Sequence, residues 1–492
     1  MNTTILLVGL VVFAFAISRV LARYVARYFV VSGVEYILLG ILLGPIFTVL
    51  DAGALKAFAP LIALQLGLLG FVKGLQAREI LTQPRTVIRG TISALLVIVV
   101  TGAACLILIE AIGEGTDTVT YGTLPLGDRL LSVAASSDNL RLAGTIGCCA
   151  AVSSPVLISD SARVLRARGP AYEALAEQGL VSQLVALAVF GGVMASARAS
   201  ESAAELQIPI WAWVVGIAGF GILCGLLFIQ FIGSERESMR IYIAAVGVVT
   251  FASGVGTALD VTPLVVNLIA GACVSLSPMY ARHVERTVLR LRHPSLVMVR
   301  VFAGAAWVGV RGLAWLLPPL YATVRLAVRW LTGGLVQGER GPDQPRVPRL
   351  GLGMVGQGGF AVAIALSYAV HAPQRAGVVL TAVLGGLVLS DLWSHRAVRR
   401  VLADAGELYT VPVDEVGEDD RAAGSSGSVH HAPPDGADDT LAAEGHRAVG
   451  AAGGSPPEVA VGAVTQEGQD EQESQDESPP DPSASASEES SS

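Results

Sequence analysis

The stretch RLAGTIGCCAAVSSPVLISDSA at residues 141–162, with RVLRARGP at 163–170 and the apolar run that continues to residue 197, decides the fold. Its first part reads as a helix, but Ser153-Ser154-Pro155 interrupts it near the middle, where proline removes a backbone donor and clashes with the preceding turn. A basic loop with Arg163, Arg166 and Arg168 follows. The second helix then carries Glu177, Gln178, Ser182 and Gln183, where lipid-facing sequence would be apolar. An interrupted helix packed beside a helix with polar residues at mid-depth is how membrane proteins build ion or substrate sites. Freed backbone groups are tolerated there only where protein or a water-filled cavity receives them.

Working outward, the 492 residues are 52% hydrophobic with a mean hydropathy of +0.59. Apolar runs long enough to cross a bilayer recur over about the first 400 positions, which indicates a polytopic, multi-pass, all-α membrane protein. The net charge of −8 averages two regions. From Val411 onward the chain carries about −17, and the remainder carries about +9. Neither value points to a nucleic-acid partner. The five cysteines all lie in apolar runs without metal-ligand or disulfide spacing, so each reads as a small buried hydrophobe.

The run at 4–20 contains Ala14-Phe15-Ala16, similar to a signal-peptidase site, but no basic region precedes it and Arg19, Arg23 and Arg27 follow it. That order predicts an uncleaved first span with its N-terminus outside. Further spans are expected at 29–50, 58–75, 88–110, 141–162, 172–196, 208–233, 239–258, 262–277, 294–310, 313–334, 350–371 and 375–395, about thirteen in all. Threading the chain from N-outside puts roughly 23 Lys and Arg in one set of loops and roughly 6 in the other, the asymmetry of the positive-inside rule. The loop beginning at Lys73 belongs to the basic set. An odd count places the C-terminus in the cytoplasm. The division is a membrane domain at 1–405 and an acidic tail at 406–492, too poor in apolar residues to offset the entropy of ordering and therefore expected to be disordered. A solvated extension is the simpler reading of that tail, and a regulatory, partner-binding segment the alternative.

Three ordered segments resemble the monovalent cation:proton antiporter superfamily, in its bacterial sodium/hydrogen exchanger-like branch. YILLGILLGP at 36–45 is similar to that family's glycine- and proline-ended second span. AAVSSPVLI at 150–158 with the basic loop after it resembles the family's broken helix, and LGLGMVGQGGFA at 350–361, with Gln357, resembles its second one. The span from Phe251 to Leu276 fits the same order. The two interruptions are separated by an odd number of spans, so they run in opposite directions, as an inverted repeat with two crossed discontinuous helices requires. Crossed breaks bring backbone carbonyls and positive half-helix ends to the midplane, and these need counter-charges.

The resemblance implies an acidic residue or pair in the sixth span and a basic residue in the eleventh. Arg325 fits the basic role, with snorkelling as its alternative; Arg329 is placed at the interface. Alignment puts Ser182 and Gln183 where one or two aspartates are usual, and neither side chain titrates near neutral pH. Glu177 and Asp160 lie nearer the cytoplasm, but helical spacing puts Gln178 rather than Glu177 on the Ser182 face. Glu35 and Asn267 are further polar groups within spans. Arg300, beside Ala303-Gly304-Ala305, is a second basic group within a span. It is read as a resident counter-charge, a partner for Glu177, or a group reaching an interface.

The ion or substrate pathway is therefore expected at Ser153, Ser154, Glu177, Gln178, Ser182, Gln183, Arg325 and Gln357. The expected function is secondary-active transport of Na⁺ or K⁺ across the membrane, by exchange for protons at an atypical coupling site. The alternative is a transport-inactive relative acting as a sensor or scaffold through its tail. No resident metal, no cofactor and no enzymatic motif is indicated: nucleophile elbow, metal-spaced histidine pair and phosphate-cradling loop are all missing from the sequence. The resemblance also implies a homodimer in a bacterial inner membrane.

Overall fold

A computed structural model describes residues 33–81, 84–112, 137–202, 209–232, 237–277, 281–336, 347 and 349–408. The first span expected at 4–20, its trailing arginines and nearly all of the acidic tail lie outside these residues. The described residues fall in the first of two compact units, Met1–Glu415.

Within them the chain is helical. The principal elements are α1 (Val34–Ile41), α2 (Ala59–Leu75), α3 (Pro84–Ile112), α4 (Ser137–Ala151), α5 (Pro155–Val164), α6 (Pro170–Ser202) and α7 (Ile210–Ile232). They continue as α8 (Ser238–Ala258), α9 (Pro263–Ser275), α10 (Arg292–Ala305), α11 (Leu317–Leu331), α12 (Gly359–His371) and α13 (Ala376–Asp404). The expected break at 153–155 separates α4 from α5. The expected break near residues 356–359 separates a short 3₁₀ turn, Leu350–Met354, from α12.

Glycines let the inner helices approach until backbones touch. A Cβ on Gly271 of α9 would lie 2.2 Å from the Phe71 carbonyl of α2, and one on Gly70 would lie 2.1 Å from that of Leu264. Gly40, from the glycine-ended motif, meets Val301 and Gly304 of α10 in the same way. In lipid, where apolar side chains gain little by leaving the solvent, close backbone packing of this kind drives association. The helices α7 and α8, by contrast, expose long apolar faces such as Val215, Leu223 and Phe231 to the outside and form a lipid-facing flank.

The placement of Lys73 and the end of the last span differ from expectation, and both matter for the site. Lys73 lies in the last turn of α2, which ends at Leu75, and it is buried rather than part of a basic loop. The last span runs to Asp404 instead of stopping near 395, so Asp391 is well inside it.

Candidate functional site

The two interruptions meet. Ser154 N–H donates to the Gly356 carbonyl at 2.9 Å, and Ser153 Oγ donates to the Met354 carbonyl at 2.8 Å. At the end of α4 the carbonyls of Cys149, Ala150, Ala151 and Val152 have no following helical turn to donate to them. Each receives a side chain from elsewhere. Gln357 Nε2 reaches Cys149 at 2.8 Å, Arg325 Nε reaches Ala150 at 2.6 Å, and Arg325 Nη2 reaches Val152 at 2.8 Å. Ala151 accepts from both Ser182 Oγ and Arg329 Nη2. Across the break, Arg325 also donates to Val355, and to Met354 at 3.3 Å.

One guanidinium thus ties both broken helices together from inside the protein. Arg325 and Arg329 are each 0% exposed. Snorkelling is excluded for Arg325, and Arg329 is not at the interface where the sequence placed it. It has turned inward to the carbonyl of Ala151 and donates to Ser182 Oγ at 2.9 Å. The Ser182 position therefore faces a fixed cation.

The structure brings Ser153, Ser154, Ser182, Arg325 and Gln357 to this crossing. Gln183 is buried with its Oε1 unpartnered and lines the neighbouring cavity. Gln178 is not part of the cluster: its Nε2 donates to the Thr86 carbonyl at 3.3 Å and holds α6 to α3. Glu177 and Asp160 sit on the cavity wall, Glu177 half-buried and Asp160 exposed. Asn267 bonds Ser253 Oγ at 3.1 Å and the Pro263 carbonyl at 3.0 Å, a structural arrangement away from the crossing.

Asp391 is the functional candidate that sequence reasoning missed. It is 3% exposed, and its Oδ1 accepts from Gln357 N–H at 3.2 Å at the start of the second broken helix. Its Oδ2 has no hydrogen-bond partner, and Arg300 and Arg325 are the cations whose charge acts on it. A lone acid in the apolar run 376–394 was the available signal. It lay too near the expected end of the span to be read as interior.

A cavity of about 500 Å³ reaches the crossing. The N-terminal turns of α5 (Ser154 to Leu157) and α12 (Gly358 to Phe360) both line it. Gly358 has φ +69°, a left-handed conformation that glycine adopts without strain, and it lies against Ser154. Carbonyl ends of the half-helices are thus occupied by guanidinium groups, while their N-terminal turns line the cavity, that of α5 with Ser154 Oγ capping Leu157 N–H.

No family model and no curated protein sequence matches this chain. Among solved structures, the chain is similar to the sodium proton antiporter MjNhaP1 from Methanocaldococcus jannaschii at pH 8, with a TM-score of 0.56 and 16% identity. The match covers 82% of this chain and 100% of that one. The all-α architecture with two crossed discontinuous helices is therefore a fold shared with that protein.

Proposed function

We propose that the protein is a secondary-active transporter that moves a monovalent cation, Na⁺ or K⁺, in exchange for protons, with the coupling carboxylate relocated to Asp391. The observation that carries this reading is Asp391 itself: a buried carboxylate with a free oxygen, bonded to the second broken helix in a fold shared with a sodium proton antiporter. A carboxylate can hold either a proton or a cation, and exchange follows from that competition. Ser182 and Gln183 cannot do this, and Arg329 already occupies the space beside Ser182. Entry through the basic, cytoplasmic face and assembly as a homodimer in a bacterial inner membrane belong to the same proposal.

The test is proton flux in proteoliposomes under an imposed pH gradient. Adding Na⁺ or K⁺ is expected to release protons for the wild type and for Glu177→Gln, and not for Asp391→Asn. Wild-type protein silent to both ions from mildly acidic to mildly alkaline pH would overturn exchange. The saturated crossing favours a second reading, a transport-inactive sensor acting through its acidic tail. That reading predicts a phenotype lost on tail deletion and retained in Asp391→Asn.

A further inference from the structure

Charge in the interior is out of balance. Among the described residues four basic side chains are buried, Lys73, Arg300, Arg325 and Arg329, against one buried acid, Asp391. Unpaired charge is costly away from water, so such an excess calls for a counter-ion unless each cation is otherwise satisfied. Arg325 is satisfied by carbonyls of both breaks, and Arg329 by the Ala151 carbonyl and Ser182 Oγ, with its Nε unpartnered. Arg300 and Lys73 are not, and both line the cavity.

Arg300 is 6% exposed, and its Nε has no hydrogen-bond partner. Its guanidinium lies against Gly359, the first residue of α12, where an added Cβ would come within 3.1 Å of Nη2. The other groups acting on it are Asp391, Glu35 and Tyr36. Asp391 already accepts from Gln357 N–H, and Glu35 is half-buried with Oε2 accepting from Gly33 N–H at 3.1 Å. Lys73 donates to Gln76 Oε1 at 2.9 Å and sits 5.3 Å from the centre of the Phe360 ring. Two helix N-termini, of α5 and α12, open into the same space, and each adds partial positive charge.

From this geometry we infer that the buried part of the cavity, between Arg300, Lys73 and the N-termini of α5 and α12, binds a small monovalent anion, a halide or a carboxylate. The buried lining there, which also includes Gln183, Ser154, Gly358 and Gly359, holds no acid. Glu35, Glu79, Asp160 and Glu177 lie on the exposed or half-exposed part, where water and salt screen them. They still disfavour a multiply charged anion on its way in. This site does not depend on cation exchange: anion binding is read without flux, so either proposal can fail alone.

The test uses the full chain in detergent, with the thermal midpoint followed as chloride or acetate replaces a HEPES salt at constant ionic strength. A saturable rise with at least one anion is expected for the wild type. Chloride alone would identify a halide site, and acetate alone a carboxylate-solute site. Arg300→Gln should weaken the apparent affinity at least tenfold and Lys73→Gln by less, whereas Arg240→Gln, on the exposed start of α8, should match the wild type. Bromide located by anomalous diffraction in wild-type crystals should lie against the Arg300 guanidinium, a readout that needs no variant. No saturable rise with either anion, an equal rise in Arg300→Gln, or bromide found only elsewhere would overturn the site.

Discussion

Two pairs of buried cations sit close together in this protein and are treated differently. Arg325 is wrapped in carbonyls, with donors directed at Ala150, Val152 and Val355, and Arg329 beside it donates to Ala151 and to Ser182 Oγ. Arg300 and Lys73 stand beside a cavity with few partners. The first pair replaces the hydrogen bonds that two interrupted helices lose. The second pair is positive charge held at the edge of an open space. The contrast separates a cation that maintains the fold from a cation available to a ligand, although all four are buried basic side chains.

Arg325→Met gives the largest expected effect, because it removes the side-chain donors to the Ala150, Val152 and Val355 carbonyls at both breaks while roughly keeping the volume. Orphaning several buried acceptors together should lower stability by about 3–5 kcal/mol, read as the unfolding midpoint of the purified protein or as loss of monodisperse material. If Arg325→Met were as stable as the wild type, the structural half of the comparison would collapse.

Ser182→Asp probes the boundary between the two pairs. It places a carboxylate at the position where Arg329 Nη2 now meets Ser182 Oγ at 2.9 Å. The expected product is a buried ion pair with Arg329, with stability within about 2 kcal/mol of the wild type and no new cation-dependent proton flux. Gain of Na⁺- or K⁺-driven proton release in proteoliposomes would show that Arg329 yields this space to a cation, and would move it out of the structural pair.

The sequence made the architecture legible because proline and glycine leave visible marks. Ser153-Ser154-Pro155 and the GQGG run at 356–359 interrupt helices wherever they occur, and both breaks stand where they were expected. Ser182, Arg325 and Gln357 were legible for a related reason, as polar residues within apolar runs. What could not be read is which way a long side chain turns. Arg329 lies one turn from the span end and was assigned outward, yet the orphan carbonyl of Ala151 draws it inward. Lys73 was obscured because a lysine in the last turn of a span reads as the start of a basic loop, and Asp391 because the last helix runs past the fall in hydropathy. Gln178 sat on the right face but found a carbonyl of α3 instead of the crossing. Periodicity specifies a face, and only packing specifies the partner.

Lys73→Met is the smallest and most discriminating change. It removes a buried charge whose contacts are one amide oxygen on half-buried Gln76 and the face of Phe360. If Lys73 belonged with Arg325, losing it would cost several kcal/mol. As a cation without a committed partner, it burdens the fold, and replacing it with an apolar chain of similar length should leave stability unchanged or raise it by about 1 kcal/mol. The measurement is the denaturation midpoint in a buffer free of small anions, where no ligand compensates the wild-type charge. A loss above about 2 kcal/mol would place Lys73 with the structural cations and leave Arg300 as the cavity's one buried cation not held by the fold.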